Sequence, residues 1–312
     1  SRRGLMGRIV FRELHGLVLL DKPLGLSSNQ ALQEVRRLFR AAKGGHTGAL
    51  DPLATGLLPL CFGEGTKLAA HLLGARKAYR ATCRLGFTTT TGDLEGEVAN
   101  ERAVPSLDDA AIEAALAPLR GRIRQVPPVY SAIKQGGEPL YAKARRGEAV
   151  DVPAREVDVY RLVLAGREGD LLHLEIECGT GTYIRSLAVD LGEALGCGAH
   201  LTALRRIWVE PFTSPRMHTL DELRERAGQG DDVLLEALLP VSAAVAHLPA
   251  LHLDAAQSQA IAQGRRIALD GTGIPSGLCA AFADDGALLA LVERGPDGLL
   301  RVQRGFNLPP GG

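Results

Sequence analysis

The chain lacks several features that define common classes of protein. Its 36 basic residues are balanced by 36 acidic ones, so it has none of the excess positive charge on which a histone-like nucleic-acid binder depends. A locally basic groove is still compatible with this balance, because the field at a surface depends on how charges are arranged. No apolar stretch reaches the ~18 residues that a membrane span needs, and "HGLVLLDKP" is too short for a signal peptide. We therefore expect a cytoplasmic protein without a membrane segment.

Motifs for metals, cofactors and nucleotides are also missing. The five cysteines are widely spaced and none forms a C-x-x-C pair, which argues against a zinc site or a disulfide framework. The "GEGTK" stretch, residues 63–67, does not have the spacing of a phosphate-binding loop. The histidines and aspartates show no metal-ligand spacing, and no G-x-S-x-G motif indicates acyl transfer. We expect a function that needs neither metal nor cofactor.

The patterns that are present predict a mixture of helices and strands. Ser27 and Gln30 have capping-box spacing at the start of "SSNQALQEVRRLFRAA", and a second helix is predicted from Ser106 with Asp109 in the capping position. A third is predicted in "GTYIRSLAVDLGEALG". The stretches "KAYRATCRLG" and "VDVYRLVLAGREGDLLHLEIECG" alternate as strands do, the second with a turn at Gly169. Because strands and helices do not alternate regularly, this order favours an α+β fold.

The pattern changes towards the C-terminus. After about residue 247, a short helix followed by several short strands predicts a small β-rich module. We therefore expect a domain over residues 8–246 and a second over 247–309. Within the first, the basic, Pro/Gly-rich segment 124–152 is predicted to be a mobile binding segment.

Asp51 is the candidate catalytic residue that the sequence indicates first. It is the one aspartate of "GGHTGALDPLATGLLPLCFGEGTK", where it precedes Pro52 and an apolar run. One interpretation is a simple turn, since Asp-Pro commonly starts one. The other is a nucleophile or base at the edge of an apolar pocket, kept ionised by a cation from elsewhere in the chain. Arg185, one turn into a predicted helix, is the candidate cation.

Aromatic residues make up only 4% of the chain, so Tyr79 and Tyr183 attract attention. Each is either a core residue or a surface on which an extruded nucleic-acid base stacks, an interaction worth about 1–3 kcal/mol per base. His46, between Gly45 and Thr47, is either a turn histidine or a wedge that fills the gap left by such a base.

Taken together, the motifs resemble a known family. The stretches "GLVLLDKPLGLSSNQALQEVRRLF", "GGHTGALDPLATGLLPLCFGEGTK", "KAYRATCRLGFTTTTGDLEGEV" and "CGTGTYIRSLAVDLGEALGCGAHLTALRRI" follow one another as in the bacterial tRNA pseudouridine-55 synthases, the TruB family. The resemblance covers nearly all of residues 16–207. It implies a mixed, mainly antiparallel sheet with flanking helices, and the tail resembles the PUA-type RNA-binding module that many members carry.

The resemblance also implies a reaction and a set of roles. A uridine at position 55 in the T-loop of tRNA would be flipped out and isomerised to pseudouridine, with no cofactor and no metal. Asp51 matches the catalytic aspartate, Tyr79 the tyrosine that stacks on the uracil and helps remove its C5 proton, and Arg185 the arginine that pairs with the aspartate. Substrate-binding roles are implied for His46, Tyr183, Leu204, Lys22 and Arg206. An apolar wall is expected from Leu57, Leu58 and Leu204.

Other functions are compatible with the same residues. One is a non-catalytic tRNA-binding or tRNA-folding protein, and another is a guide-RNA-dependent pseudouridine synthase of rRNA. The compact tail favours the stand-alone enzyme, for which the resemblance implies tRNA as partner, a monomer and no obligatory protein partner. Three routes for Asp51 also remain open: attack on C1′ of the ribose, attack on C6 of the base, or removal of the C2′ proton.

Overall fold

The structure, a computed structural model, describes residues 7–72, 76–128, 134–135, 138–139, 142, 146–147, 152–269 and 274–310. The chain divides into two compact units. The first contains Ser1–Asp51, Leu58–Leu73 and Ser214–Gly312, and the second contains Pro52–Leu57 and Gly74–Thr213. Within the described ranges, no helix combines the length and the apolar character that crossing a bilayer requires.

The elements are numbered in chain order. The strands are β1 (Gly16–Lys22), β2 (Gly44–His46), β3 (Ala54–Phe62), β4 (Lys77–Leu85), β5 (Phe87–Thr89), β6 (Val98–Glu101), β7 (Gly121–Gln125), β8 (Lys134–Gln135), β9 (Glu138–Pro139), β10 (Arg155–Glu168), β11 (Leu171–Cys178), β12 (Ala199–Val209), β13 (His218–Thr219), β14 (Ala250–His252), β15 (Leu278–Phe282), β16 (Leu288–Arg294) and β17 (Leu300–Gly305). The α-helices are α1 (Ser28–Phe39), α2 (Ala69–Leu72), α3 (Asp109–Leu116), α4 (Ile184–Ala194), α5 (Leu220–Gln229), α6 (Asp231–Leu235) and α7 (Ala255–Ala262).

A sheet of neighbouring antiparallel strands forms the centre of the second unit. Its order is β12, β4, β11, β10 and β7, and each adjacent pair is antiparallel. The first residues of β3 extend it in parallel, with Leu204 opposite Ala54 and Arg206 opposite Gly56. The predicted α+β fold with a mixed, mainly antiparallel sheet is confirmed.

One face of this sheet carries the core of the second unit. Alternate residues of a strand point to the same face, and in β4 these are Tyr79, Ala81, Cys83 and Leu85, all of them buried. Helix α4 packs against them through Ile184, Leu187, Ala188 and Leu191. Each fully buried leucine contributes about 1.5–3 kcal/mol. The core therefore fixes α4, and with it Arg185, relative to β4.

In the first unit, a short turn connects the end of β1 at Lys22 to the start of helix α1 at Ser28. The predicted capping box of α1 is confirmed, because Ser27 accepts a hydrogen bond from the backbone of Gln30 and Gln30 accepts one from the backbone of Ser27. Helix α1 buries an apolar stripe that includes Leu32, Val35 and Phe39. Strand β1 pairs in parallel with β13, and β2 pairs antiparallel with the last residues of β3.

The C-terminal strands have a hydrophobic cluster of their own. Strands β14 to β17 form a sheet in chain order, and α7 packs its residue Ile261 into the same cluster as Val292 and Leu300. The predicted helix followed by short strands is confirmed. The domain boundary at residues 246 and 247, and the PUA-like character of this part, stay predictions.

The "GEGTK" stretch fastens the C-terminal strands to the rest of the first unit. The ammonium of Lys67 donates a hydrogen bond to the carbonyl of Gly305 at 2.9 Å, and the backbone of Asn307 donates one to the Glu64 carboxylate at 3.0 Å. Glu64 and Lys67 also form an ion pair with each other. These contacts give the stretch a structural role.

Two predictions need comment. The prediction that α3 starts at Ser106 with Asp109 as its cap was wrong. The helix begins at Asp109, and its cap is Asp108, which accepts a hydrogen bond from the backbone of Ala111 at 2.8 Å. Asp108 has the extended backbone that a capping residue needs.

The predicted mobile segment 124–152 falls for the most part outside the described residues and stays a prediction.

Candidate active site

The predicted site residues are divided between the two units. Lys22, His46 and Asp51 belong to the first unit, and Tyr79, Tyr183, Arg185, Leu204 and Arg206 belong to the second.

A buried serine fixes the backbone next to Asp51. Ser28, the first residue of α1, donates its hydroxyl to the carbonyl of Leu50 at 2.9 Å and accepts a hydrogen bond from the backbone of Leu50 at 2.7 Å. Leu50 is buried while Asp51 is exposed. The main chain is therefore anchored one residue before the carboxylate, which itself stays accessible to a ligand.

A buried lysine lies close enough to Asp51 to act on it electrostatically. The Lys22 side chain is fully buried, and its ammonium donates to the carbonyls of Pro23 and Leu26 at 2.8 and 2.6 Å. Burial lowers the pKa of Lys22 below its usual value, and the charge of Asp51 opposes that shift. Asp51 thus has a basic neighbour in its own unit. The predicted contact of Lys22 with substrate stays a prediction.

We expect Ser28→Ala to lower kcat about 10- to 100-fold, because a misplacement of about 1 Å in a catalytic group can have an effect of this size. It should also reduce the free energy of unfolding by about 1–3 kcal/mol, since the buried amide and carbonyl of Leu50 lose their partner. Steady-state kinetics and thermal unfolding measure the two effects. The matched control is Ser27→Ala, which removes the helix cap and costs about 1 kcal/mol. A Ser28→Ala enzyme with the kcat of the Ser27→Ala enzyme would contradict the anchoring role.

His46 ends β2, where its backbone pairs with Leu60. Its side chain is half-buried, and the next residue, Thr47, is buried and donates its backbone N–H to Pro59 at 3.1 Å. Leu58, predicted to form part of the apolar wall, is fully buried. The wedge role of His46 stays a prediction.

In the second unit, Tyr79 lies in the centre of β4. Its backbone is opposite Ile176 of β11 and Arg206 of β12, and its side chain is buried at the edge of the core. Leu204 is half-buried and packs against the same cluster. The structure therefore supports the interpretation of Tyr79 as a core residue, and its role as a stacking surface stays a prediction.

Arg206 is 1% exposed, and its Nε–H donates to the carbonyl of Leu57 at 2.8 Å. The backbone of Arg206 lies so close to the residue opposite it in β3 that only glycine fits there. Gly56 has φ +101°, and a Cβ there would lie 2.1 Å from the carbonyl oxygen of Arg206. The "ATGLL" stretch is thus locked to β12 through a backbone contact that a side chain would block. The predicted contact of Arg206 with substrate stays a prediction.

Arg185 contacts a carboxylate that the sequence did not indicate. Its Nη1 lies 3.7 Å from Asp93, and both side chains are largely buried. Asp93 also accepts hydrogen bonds from the hydroxyl of Thr91 at 2.6 Å and from the backbone of Glu95 at 3.0 Å. This turn holds the guanidinium from one side. The sequence did contain a signal for Asp93, which is the one aspartate of the Thr/Gly-rich stretch "TTTTGDLEG". A single aspartate in such a stretch is also the pattern that indicated Asp51.

Gln125 is a second residue that sequence reasoning missed. It is buried, its amide donates to the carbonyl of Tyr183 at 3.0 Å, and it accepts from the backbone N–H of Tyr183 at 2.7 Å. Both backbone polar groups of Tyr183, the residue before the first residue of α4, are thereby fixed. Beside this turn lies a cavity of about 290 Å³, whose lining includes Arg185, Ser186 and Asp190. Burial raises the pKa of Asp190, and the charge of Glu193 raises it further.

Residues 36–184 match the family model of the TruB family pseudouridylate synthase N-terminal domain, and residues 185–246 match that of the tRNA pseudouridylate synthase B C-terminal domain. The chain belongs to the TruB family. The predicted resemblance is thereby confirmed, and the fold described above is that of a TruB-family pseudouridylate synthase.

Curated relatives extend the similarity to nearly the whole chain. A protein of Xanthomonas campestris pv. campestris named tRNA pseudouridine synthase B is 56% identical over 300 residues, which are 96% of this chain and 96% of that protein. Its namesake in Xylella fastidiosa is 55% identical over 306 residues, 97% of this chain and 100% of that protein. A third, from Chromohalobacter salexigens, is 50% identical over 280 residues, which are 89% of this chain and 90% of that protein.

Two solved structures with the same fold are chains of larger complexes. A chain of a Cbf5-Nop10-Gar1 complex superposes with a TM-score of 0.73 at 26% identity, covering 98% of this chain and 88% of that chain. A chain of an H/ACA RNP bound to a substrate RNA containing 2′-deoxyuridine gives a TM-score of 0.71 at 25% identity, covering 95% and 86% of the two chains.

Proposed function

We propose that this chain isomerises the uridine at position 55, in the T-loop of tRNA, to pseudouridine. The proposal rests on the sequence identity with a protein named tRNA pseudouridine synthase B. This identity is 56% over 96% of the chain. Support also comes from the sequence, in which Asp51, Tyr79 and Arg185 lie within the motifs that resemble the family.

The reaction is an isomerisation within one nucleotide. The bond from C1′ of the ribose to N1 of uracil breaks, the ring turns, and a new bond forms from C1′ to C5. N1 gains a proton and C5 loses one, so neither an oxidant nor net water is consumed. Asp51 supplies the carboxylate that assists the break, and Tyr79 stacks on the uracil and helps remove the C5 proton.

Lys22 and Arg185 have separate tasks in this proposal. Lys22 is buried and lies close enough to Asp51 to interact with its charge. The family resemblance assigns Arg185 the role of the arginine that pairs with the catalytic aspartate. Its guanidinium is already oriented by Asp93, so little side-chain freedom is lost when it engages a second carboxylate.

Bound RNA has to complete the site. Asp51 is exposed in the chain alone, whereas the reaction benefits from a cleft without water. Flipping the uridine out of its loop costs a few kcal/mol, which stacking on Tyr79 offsets. His46 fills the space that the base leaves, and Tyr183 and Leu204 contact the flipped base. The RNA itself thus covers Asp51.

A second candidate function is a guide-RNA-dependent synthase, which the similarity to chains in an H/ACA RNP and a Cbf5-Nop10-Gar1 complex favours. Identity with those chains is 25–26%, against 50–56% with the proteins named tRNA pseudouridine synthase B. We therefore propose the stand-alone enzyme, a cytoplasmic monomer that needs no cofactor and no protein partner. A separate role in tRNA folding is compatible with it.

The test is mass mapping of pseudouridine in an unmodified tRNA transcript treated with the purified protein. We expect one pseudouridine, at the T-loop uridine, and none in a transcript in which that uridine is replaced by cytidine. Activity that appears only after guide RNA and partner proteins are added would identify the second candidate. Tight tRNA binding with no product under either condition would leave the non-catalytic function.

A further inference from the structure

Lys77 stands beside Tyr79 but has no role in the reaction described so far. It is the first residue of β4, two residues before Tyr79. Residues two apart in a strand point to the same face with Cα atoms roughly 6.7 Å apart. Lys77 is opposite Cys178 of β11 and Val209 of β12, while Tyr79 is opposite Ile176 and Arg206. The side chains of Lys77 and Tyr79 therefore point to the same face of the sheet and are neighbours on that face.

The charge of Lys77 is not neutralised by its surroundings. The side chain is half-buried, and it makes no hydrogen bond or ion pair in the part of the chain that the structure describes. Burial lowers its pKa, and the positive charge of Arg206 lowers it further. Burial raises the pKa of the facing Cys178 thiol to about 11, so this thiol is uncharged near neutral pH and does not balance the lysine.

A partly desolvated cation is unfavourable unless an anion or a set of acceptors compensates it. A second cation nearby increases the cost, so the positions of Lys77 and Arg206 on neighbouring strands favour an anionic ligand at this point of the sheet face. Tyr79 is the neighbour on that face, and under the proposed function its ligand is the flipped uracil.

We propose that Lys77 binds a negatively charged group of the substrate RNA beside the uracil that stacks on Tyr79. This inference rests on the proposed function and adds a binding residue to it. Two groups of the RNA have the required charge. One is the backbone phosphate of the target nucleotide, which is anionic throughout. The other is the uracil itself, which leaves with the electron pair of the C1′–N1 bond and is anionic only until C5 re-forms the bond to C1′.

The experiment uses Lys77→Met, which keeps the length of the side chain and removes its charge, and Lys77→Arg, which keeps the charge. Arg80→Met is the matched control, because Arg80 is an exposed cation on the opposite face of the same strand. For each variant we measure the single-turnover rate of pseudouridine formation on a tRNA transcript. The dissociation constant of the same transcript is measured in an Asp51→Asn background, where turnover does not interfere.

If the ligand is a phosphate, Lys77→Met should raise the dissociation constant roughly tenfold. The slope of the logarithm of affinity against the logarithm of salt concentration should become less steep by the amount expected for about one phosphate contact. If the ligand is the leaving uracil, the dissociation constant should stay unchanged and the single-turnover rate should fall about 100-fold. In both cases Lys77→Arg should restore most of the loss, which a purely structural role of the lysine stem would not predict.

The inference is overturned if Lys77→Met matches Arg80→Met in both rate and affinity, or if Lys77→Arg is as defective as Lys77→Met. Should the methionine variant be unstable by thermal unfolding, the arginine variant decides alone: near-normal rate and affinity support the inference, and loss of both contradicts it. Failure of the proposed function gives a different result, because the wild-type protein would then form no pseudouridine in the same assay.

Discussion

Asp51→Asn is expected to abolish pseudouridine formation and to leave tRNA binding intact. Asparagine has nearly the same size and keeps one oxygen, but it has no negative charge and cannot act as nucleophile or base. We expect the single-turnover rate to fall by at least about 10³-fold. Since Asp51 is exposed, the free energy of unfolding should change by less than about 1 kcal/mol. Quantitative pseudouridine mapping, a tRNA binding titration and thermal unfolding measure the three quantities.

A matched control shows that the effect belongs to this carboxylate. Asp221 is an exposed aspartate of the same unit whose side chain is 96% accessible, and Asp221→Asn should leave both rate and affinity unchanged. Product formation by Asp51→Asn at more than a few per cent of the wild-type rate would remove Asp51 from the chemistry. The residues Tyr79 and Arg185 would then need a different carboxylate, and Asp93, which already contacts Arg185, would be the first to test.

The sequence was a good guide to features that depend on near neighbours. The capping box of α1 requires two residues three positions apart, and the alternation in β4 requires only a period of two, so each pattern is visible in a short window. The start of α3 was placed wrongly because "SLDD" offers several capping residues in a row. Which of them caps the helix depends on backbone conformation, and a short window does not contain that information.

Contacts between distant parts of the chain were beyond such patterns. Ser28 and Leu50 are 22 residues apart, and Gln125 and Tyr183 are 58 apart. Both pairs fix the backbone next to a predicted site residue, yet nothing in either stretch indicates the other. Hydrogen bonds of this kind depend on how strands and helices pack, which the hydrophobic pattern of one element does not specify.

Lys22 illustrates a different limit. Lysine is almost never fully buried, so the burial of Lys22 could not be expected from its residue type. The short turn after β1 directs the carbonyls of Pro23 and Leu26 at the ammonium. Backbone acceptors can replace water around a charge, but their direction is set by the fold of the turn and is not visible in the residue types.

Tyr79→Ala should damage both binding and chemistry, whereas Tyr79→Phe should damage chemistry alone. Loss of the ring removes a stacking interaction worth about 1–3 kcal/mol, which corresponds to roughly 5- to 150-fold in tRNA affinity. Phenylalanine keeps the ring and loses only the hydroxyl, so the affinity should remain near that of the wild type. Its single-turnover rate should fall if the hydroxyl helps to remove the C5 proton. Deuterium at C5 of the target uridine should then slow the Phe variant more than the wild type.

Stability has to be separated from stacking in this experiment, because Tyr79 belongs to the core of its unit. Removing a buried aromatic ring costs about 3–5 kcal/mol of folding free energy, and a partly unfolded enzyme would mimic weak binding. Leu172→Ala is the matched control, since Leu172 lies in the same cluster and its loss costs about 2–5 kcal/mol without touching the uracil. Measured well below both unfolding midpoints, only Tyr79→Ala should lose affinity. Equal affinity and rate for Tyr79→Ala and Leu172→Ala would reduce Tyr79 to a core residue, and the stacking surface would have to be sought at Tyr183.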